Sequence, residues 1–317
     1  MRKKWLWIVL LLFIVLLVSC GGFVVIAALV LERSGGFAGL PTVRGGTVAI
    51  IHIEGAIVTG RSGPLEQAGV VYTSQIIEDI ERAEADAAIR AIVLQVNSPG
   101  GSVVGSVDIY EALKACQKPI VTSMGEYAAS GGYYIACATD YIYARPATLT
   151  GSIGVIMRVT HYEELMEKLG VETQIIKSGP HKDQGGWHRP LSEEEVAMLQ
   201  EMIDEAYRDF VAVIVEGRGL DEADVRAVAD GRIVSGRQAI ALGLVDAVGD
   251  LDDAIHKAAE LAGIEGEPRI YRFERPPSFL DLLRGAVAAL NGSPEQRLLR
   301  ELRQESAPRL EYLYIAP

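Results

Sequence analysis

Residues 125–136 read Gly-Glu-Tyr-Ala-Ala-Ser-Gly-Gly-Tyr-Tyr-Ile-Ala, and this stretch is the most informative part of the chain. It follows an apolar, strand-like run over Pro119–Met124, whereas the alanine- and tyrosine-rich residues 127–138 predict a helix. A strand-to-helix turn at Ser130 would present a hydroxyl beside backbone N–H groups that lack partners within the helix. A nucleophile that forms an oxyanion beside itself needs this arrangement. The alternative interpretation is a serine N-cap in a glycine-rich turn.

The N-terminus predicts a membrane anchor. Residues 2–4 are basic, and residues 5–31 carry no charge and are long enough to cross a hydrocarbon core of about 30 Å. The positive-inside rule predicts that residues 1–4 form a cytoplasmic tail and that the rest of the chain lies outside the cytoplasm. One alternative is a cleaved signal peptide, although its apolar core would be shorter. Another is a lipoprotein processed at Cys20, although the apolar run continues beyond that cysteine.

Composition excludes several classes of function. The net charge is −12 and no basic cluster occurs outside the N-terminus, so we expect no nucleic-acid partner. Cys116 and Cys137 lie in apolar, helix-like contexts and are predicted to be small buried side chains, with an extracytoplasmic disulfide as the alternative. The Cys and His spacings match no metal site, so we expect no metal and no cofactor.

The order of predicted elements indicates an α/β fold. Residues 32–46 are glycine-rich and read as a linker, and strands and helices then alternate over residues 47–264, as in parallel β–α units. Residues 265–317 form a proline-punctuated extension with an aromatic end. Two of the predicted strands cover Val48–Ile57 and Glu172–Lys177. A capping box at Ser192–Glu195 predicts the start of a long helix.

A second glycine-rich segment is predicted to lie beside Ser130. Asn97-Ser98-Pro99-Gly100-Gly101 follows an apolar strand, and ligand sites in open α/β sheets lie beyond the carboxyl ends of the strands. The backbone amides of Gly101 and Gly131 are therefore candidate oxyanion donors, because glycine allows an N–H to be aimed inward. A purely structural turn is the alternative for the first of these segments.

A nucleophilic serine needs a base, and the choice of base is open at this point. The five histidines are His52, His161, His181, His188 and His256. The nucleophile-elbow pattern G-x-S-x-G fails, because Ala128 replaces its first glycine. A buried lysine can also act as a base, and Lys182 lies in a predicted loop after a strand. The alternative for this lysine is an ordinary solvated side chain.

Several segments, taken together in their order and spacing, resemble one family. They are Asn97–Gly101, Tyr127–Tyr134, Thr150–Val155, Lys177–Asp183, Asp230–Arg232 and Ala239–Asp246. This set resembles signal peptide peptidase A, a family of bacterial membrane serine proteases with the fold of Clp protease and crotonase. The chain is similar to the short, single-copy form of the family over residues from about 48 to 262.

The resemblance implies a fold and a set of roles. The fold would consist of repeated ββα units with parallel sheets, preceded by one transmembrane helix. Ser130 would be the nucleophile and Lys182 the general base of a Ser-Lys dyad. Gly101 and Gly131 would form the oxyanion hole, and Ser152 would orient the lysine. No histidine falls on a catalytic position.

The resemblance also implies partners. The family assembles its dyad between neighbouring domains, so a single-copy chain would need a homo-oligomer, with Ser130 and Lys182 apart in one protomer. The implied substrates are hydrophobic peptides at the bacterial membrane, chiefly signal peptides released from preproteins. The aromatic tail Leu310–Pro317 could occupy a substrate groove as a pseudo-substrate, or simply pack against the surface.

Two other functions remain as alternatives. A crotonase-type acyl-CoA enzyme shares the fold and also uses paired backbone amides as an oxyanion hole, but it needs neither a membrane anchor nor a Ser-Lys dyad. An inactive membrane-tethered scaffold is the other alternative, although every expected catalytic position is filled.

Overall fold

The computed structural model describes residues 46–60 and 69–273, and the backbone of residues 310–313. The strands are β1 (Thr47–Glu54), β2 (Ala56–Val58), β3 (Val70–Tyr72), β4 (Ile89–Ser98), β5 (Gly100–Ser102), β6 (Ile120–Ala129), β7 (Tyr141–Ala144), β8 (Leu149–Gly151), β9 (Ile156–Met157), β10 (Ile233–Ser235), β11 (Ala247–Val248), β12 (Arg269–Arg272) and β13 (Leu310–Leu313). The helices are α1 (Thr73–Ala85), α2 (Val103–Ala115), α3 (Gly131–Ala136), α4 (Glu163–Lys168), α5 (Glu193–Arg218), α6 (Glu222–Val228), α7 (Gly236–Ala241) and α8 (Leu251–Leu261).

The main sheet is largely parallel and has the strand order β10-β8-β6-β4-β1-β12. Strand β6 is long enough to pair twice, with β7 along its first half and with β8 along its second half. Among the described strands of this sheet, only β10 and β8 pair in antiparallel orientation. The registers set Ser98 of β4 opposite Ala128 of β6, and Ala129 of β6 opposite Gly151 of β8. The carboxyl ends of β4, β6 and β8 therefore meet at one edge of the sheet.

A smaller sheet lies beside the main one, with the order β3-β2-β5-β13-β9. The chain repeatedly places one strand in the main sheet, the next in the small sheet, and then a helix. The described residues show this order in β1-β2, β4-β5 and β8-β9, each followed along the chain by a helix. The structure thus confirms a mixed α/β fold with a parallel-rich sheet, of the kind found in Clp protease and crotonase.

Both faces of the main sheet are covered, which explains the nearly continuous apolar runs in its central strands. Helix α8 covers one face, where Ala254 and Ala258 pack against Val48 and Val93. The other face carries the larger core, which includes Ile51, Leu94, Tyr133 and Phe210. Strands β1, β4 and β6 are therefore held from both sides.

The predicted strand Val48–Ile57 is wrong as a single element, because the chain changes sheets within it. Gly55 has a φ of 96° and separates β1 from β2. A Cβ at this position would lie 2.2 Å from the carbonyl oxygen of Gly69. The glycine therefore allows both the turn and the close approach of strand β3.

The predicted helix over residues 127–138 is wrong at its start. Tyr127, Ala128 and Ala129 belong to β6 and pair with β8, and the helix α3 begins only at Gly131. Pairing with Leu149–Gly151 outweighs the local helix propensity of the two alanines. Ser130 consequently follows a strand directly.

The predicted strand Glu172–Lys177 is also wrong for the protomer. These residues lie outside any helix or strand, and all of them are exposed. The predicted long helix, in contrast, is confirmed. It is α5, whose capping box joins Ser192 and Glu195 in both directions.

The remaining predictions concern the membrane and the cysteines. Among the described residues, no helix combines the length and apolarity that crossing a bilayer requires. The predicted anchor, residues 5–31, lies outside those residues.

Cys137 is buried and Cys116 is half-buried, and both are free thiols. Strand β12 lies in the predicted C-terminal extension, yet it pairs with β1 and widens the main sheet.

Candidate active site

Ser130 stands at the junction of β6 and α3 in a strained backbone conformation. Its φ of 52° and ψ of −116° are rarely adopted by a residue that carries a side chain. Hydrogen bonds hold the backbone on both sides: the Ser130 N–H donates to the Gly151 carbonyl at 2.9 Å, and the Ser130 carbonyl accepts from Tyr133 and Tyr134. Strain of this kind persists only where the surroundings enforce it, and it is common at functional sites. The structure therefore supports Ser130 as a functional residue.

The helix that begins after Ser130 is anchored in the core. The Tyr133 hydroxyl is fully buried and donates to the carbonyl of Leu244 at 2.8 Å. Burial raises the pKa of Tyr133, so this hydroxyl remains a donor. The ring of Tyr134 packs edge-on against Tyr110 and Phe210, with ring centroids 5.3 Å and 5.1 Å apart. These contacts fix the position of α3 and of the serine before it.

The two predicted oxyanion donors lie on segments that pack together. Gly131 is the first residue of α3, and its N–H has no hydrogen-bond partner within the described residues. Gly101 lies in β5, where a Cβ would meet the Ile57 carbonyl oxygen at 2.1 Å. A Cβ on Gly132 would lie 2.8 Å from the Ser98 carbonyl oxygen. The start of α3 therefore packs directly against the turn that leads into Gly101.

Ser152 is brought beside Ser130 by strand register. Ser130 follows Ala129 and Ser152 follows Gly151, and these two preceding residues are partners in neighbouring parallel strands. Adjacent strands lie about 4.8 Å apart, so the two serines emerge side by side at the sheet edge. Ser152 also has a positive φ, 50°, and its N–H donates to the carbonyl of Arg232 at 2.8 Å. Both serines are buried.

A cavity of about 550 Å³ opens next to Ser152. Ile156 of β9, Tyr207 of α5 and the carboxylates of Asp204 and Asp230 contribute to its lining. The carboxylate of Asp230 is paired with Arg232, and that of Asp204 accepts from Gln200. The apolar part of the wall suits a long aliphatic side chain.

Lys182 lies outside this packed frame, on a segment that we call the lysine arm (residues 158–190). The Lys182 side chain is exposed, and within the described residues it makes no hydrogen bond or ion pair. The Ser130 hydroxyl likewise makes no hydrogen bond to any described side chain, histidines included. The protomer thus brings Ser130, Ser152 and the two glycines together, and it does not bring Lys182 to them.

The part of the arm that carries Lys182 is held by ionic contacts rather than by a core. The Arg189 guanidinium donates to Asp183 at 2.7 Å and to both carboxylate oxygens of Glu195 at 2.7 Å. Asp183 also accepts from Lys177 at 2.7 Å and from His188 at 3.1 Å. We call Asp183, Arg189 and Glu195 the arm triad. It connects the residue after Lys182 to the first turn of α5.

The arm triad keeps its carboxylates ionised. Hydrogen bonds from Arg189 and Lys177 lower the pKa of Asp183 well below its usual range. The Arg189 hydrogen bonds and the Ser192 N–H lower the pKa of Glu195 to about 2. The Glu195 carboxylate is only 2% exposed, so it depends on these donors.

Sequence reasoning missed the arm triad as a unit. Asp183 was part of a recognised segment, and Glu195 was identified only as a capping residue. Arg189 gave no signal, because an arginine before a proline has no characteristic pattern. The contacts between these residues depend on how the arm folds back onto α5.

Sequence reasoning left open where the aromatic tail lies. Residues 310–313 form β13, which runs antiparallel between β5 and β9. Tyr312 is the register partner of Gly101, and Glu311 is the partner of both Ser102 and Ile156. An extended backbone therefore passes directly along one of the candidate oxyanion donors.

Two sequence families match the chain. The model of peptidase family S49 matches residues 112–265, and that of Clp protease matches residues 66–150. The first match includes Ser130, Ser152 and Lys182, and the second includes Gly101 and Ser130. The two matches overlap around the serine turn.

Individual relatives agree with these families. A candidate protease of Synechocystis sp. is 41% identical over 220 residues, which are 69% of this chain and 75% of that relative. Protease 4 of Salmonella typhi is 38% identical over 266 residues, 82% of this chain and 42% of the relative. A candidate signal peptide peptidase of Enterococcus faecium is 43% identical over 182 residues, 56% of this chain and 53% of the relative. The chain thus spans about half or less of the last two proteins.

These matches decide between the alternatives for the protein's class. They give no support to an acyl-CoA enzyme or to an inactive scaffold, and every named relative above is a protease or a peptidase. The serine turn, the glycine segments and the ββα order agree with the same conclusion. The chain belongs to peptidase family S49 and is a serine peptidase of the signal peptide peptidase A type.

Proposed function

We propose that this peptidase degrades hydrophobic peptides, such as signal peptides released from preproteins, with Ser130 and Lys182 as a dyad completed between two copies of the chain. The observation that carries the proposal is the position of β13. A peptide backbone lies in a strand slot between β5 and β9, in register with Gly101. A substrate bound in the same slot would pass Gly101 in an extended form.

The slot supports peptide cleavage for two reasons. Main-chain pairing to strand edges binds extended peptides with little regard to sequence, which suits a degradative enzyme. The register also sets the bound chain beside Gly101, on the segment that packs against α3 and Ser130. The tail would then be a competitor that a substrate must displace.

The proposed chemistry follows from these positions. The neutral amine of Lys182 removes the hydroxyl proton of Ser130 as Oγ attacks the peptide carbonyl carbon. The N–H groups of Gly101 and Gly131 stabilise the oxyanion, and the lysine ammonium then returns the proton to the leaving amine. Water, deprotonated by the same lysine, hydrolyses the acyl-enzyme. The Ser152 hydroxyl would accept from the Lys182 amine and aim it at Ser130.

A second copy would supply the lysine. Ser130 has no base within its own described protomer, and Lys182 is exposed with its side chain unpaired. The cavity beside Ser152 offers a place for a lysine from another copy, with Ile156 and Tyr207 in its wall. Enclosure between copies would remove water from the amine and favour its neutral form.

The anchor would place this site where its substrates collect. If residues 5–31 span the bilayer, the peptidase domain lies outside the cytoplasm and next to the membrane that releases signal peptides. Lipidation at Cys20 would give a similar position. Mass spectrometry of the purified N-terminus distinguishes the two anchors.

The test is peptidase activity in the full-length, detergent-solubilised protein. We expect Ser130→Ala and Lys182→Ala each to lower kcat/KM for a hydrophobic peptide by at least about 10³-fold. Lys168→Ala, an exposed lysine of the same arm, is the matched control and should retain activity. A fluorophosphonate probe should label the wild type and not Ser130→Ala. Full activity in Lys182→Ala would overturn the base, and full activity in Ser130→Ala would overturn the nucleophile.

A further inference from the structure

We propose that residues 171–177 are a docking strand, which pairs in a second copy of the chain with the edge of β9 that no described strand occupies. This pairing would deliver Lys182 to that copy. The inference rests on the proposed function and adds the contact by which the two halves of the dyad meet. The partner of the docking strand is a second copy of the chain, because the arm that contains this strand also carries Lys182, the base that Ser130 lacks in its own protomer.

The docking strand has the composition of a strand but the exposure of a loop. It reads Val-Glu-Thr-Gln-Ile-Ile-Lys, and residues 171–178 are all exposed. Ile176 is 93% exposed, and Val171 and Ile175 are about half exposed. β-Branched residues favour a strand, and adjacent exposed isoleucines are unfavourable in water. The sequence therefore predicts a strand that the protomer alone cannot complete.

The backbone of the docking strand is unpaired as well. Within the described residues, no backbone hydrogen bond involves residues 172–177. The chain before them is tied down, since the Val171 N–H donates to Met166, and the chain after them is held by the contact of Lys177 with Asp183. A segment held at both ends, with apolar side chains and with N–H and C=O groups that no described backbone group binds, is a template for pairing with another chain.

The acceptor edge follows from reach. Lys182 lies about five residues beyond the docking strand, and that length of chain spans at most about 17 Å. The acceptor strand must therefore lie within that distance of Ser130. Strand β9 begins four residues after Ser152. It is an edge strand of the small sheet, and β13 is its partner among the described strands. Its Ile156 is exposed and lines the cavity beside Ser152.

The surrounding surface fits the same contact. Helix α5 leaves Val196, Met198 and Met202 about half exposed near the arm triad, and Leu165 and Leu169 of the arm are exposed too. Pairing at β9 would bring apolar side chains of the docking strand against Ile156. It would also lead Lys182 towards the cavity that Ser152 lines.

The first test removes the pairing without touching catalytic groups. Gln174→Pro deletes a ladder N–H in a segment that makes no backbone bonds within the protomer, so the protomer should still fold. We expect its assembly, measured by sedimentation of the full chain in detergent, to weaken by about tenfold or more. Peptidase activity at low protein concentration should fall in parallel. Gln174→Thr keeps the backbone N–H, and threonine also favours a strand, so this variant should behave as the wild type.

The second test identifies the acceptor edge. A chain with Gln174→Cys is mixed with a chain of different length that carries Ile156→Cys, and the mixture is mildly oxidised. We expect a disulfide-linked pair that contains one of each chain, and none when either substitution is absent. The unsubstituted chain controls for the native cysteines. Cross-linking only between identical chains would overturn β9 as the acceptor.

The outcomes separate this inference from the proposed function. If the Gln174→Pro protein assembles and hydrolyses peptide like the wild type while Lys182→Ala is inactive, the proposed dyad is supported and the proposed docking strand is wrong. If the Gln174→Pro protein assembles like the wild type but has a higher KM, the segment binds substrate instead, and the inference is again wrong. If Gln174→Pro dissociates while Lys182→Ala remains active, the docking strand stands and the proposed base is wrong.

Discussion

The serine turn and the lysine arm are built in opposite ways. Ser130 is 1% exposed and has a strained backbone. The hydrogen bond of its N–H to the Gly151 carbonyl and the buried Tyr133 of the helix that follows hold it in place. In the arm, residues 158–190, only Gly185 is buried, and its helix α4 has no buried residue at all. Within the protomer, Ser130 of the proposed dyad is thus held in a fixed position, whereas Lys182 is exposed to solvent.

The arm lacks the packing that holds the serine turn in place. A strained nucleophile needs a rigid frame, which the two-faced sheet provides. The arm has ion pairs to α5 but little apolar burial, although several of its side chains are apolar. Exposed apolar surface of this kind often marks an interaction site, which agrees with the proposal that the arm is half of an interface.

Apart from replacement of Ser130 itself, Gly101→Ala should produce the largest loss on the serine side. The new Cβ would lie 2.1 Å from the Ile57 carbonyl oxygen, so β5 must move and take a proposed oxyanion donor with it. We expect kcat/KM to fall by about 10²–10³-fold, the usual effect of losing one such donor. Steady-state kinetics on a hydrophobic peptide measure this loss.

Gly263→Ala is the control for that loss. Gly263 also has a positive φ, 63°, but a Cβ there would meet nothing within 4 Å. It should lower thermal stability slightly and leave kcat/KM unchanged. Equal activity losses in the two variants would mean that backbone strain alone, and not the position of the Gly101 N–H, explains the effect.

Much of the serine side could be predicted from the sequence, and little of the arm could. The order of glycines and strands around Ser130 and Gly101 is local, and it matched an α/β pattern without further information. The start of α3 was misplaced because pairing of Tyr127–Ala129 with β8 is a long-range contact. The strand predicted at Glu172–Lys177 has the right local propensity but has no partner strand among the described residues.

Arg189→Gln should produce a smaller loss on the arm side. It leaves the carboxylates of Asp183 and Glu195 facing each other without their shared cation, so the loop next to Lys182 should lose its fixed position. We expect kcat/KM to fall by about 10- to 100-fold, because misplacing a catalytic group by about 1 Å has an effect of that order. The pH profile of kcat/KM should also shift, since the environment of the lysine changes.

Arg226→Gln is the matched control for the arm triad. Arg226 pairs with Glu222 on the exposed surface of α6, in an i,i+4 arrangement. Such pairs contribute little, so activity and pH profile should remain those of the wild type. If Arg189→Gln behaves like this control, the triad does not position the lysine.

Deletion of residues 306–317 should have the smallest effect, and in the opposite direction. It removes β13 from the slot between β5 and β9, so a peptide no longer competes with the tail. We expect kcat/KM to rise severalfold, mainly through a lower KM. Deletion of residues 314–317 alone leaves β13 in place and should change nothing. An unchanged KM after the longer deletion would mean that the tail only packs against the surface.

The central claim is that Ser130 of one copy works with Lys182 of another. Ser130→Ala and Lys182→Ala chains, each inactive alone, are dissociated, mixed in equal amounts and reassembled, and peptide hydrolysis is measured. We expect recovery of about one quarter of wild-type activity, because in a ring about one interface in four then combines an intact serine with an intact lysine. A mixture that stays inactive after verified exchange of copies would contradict it.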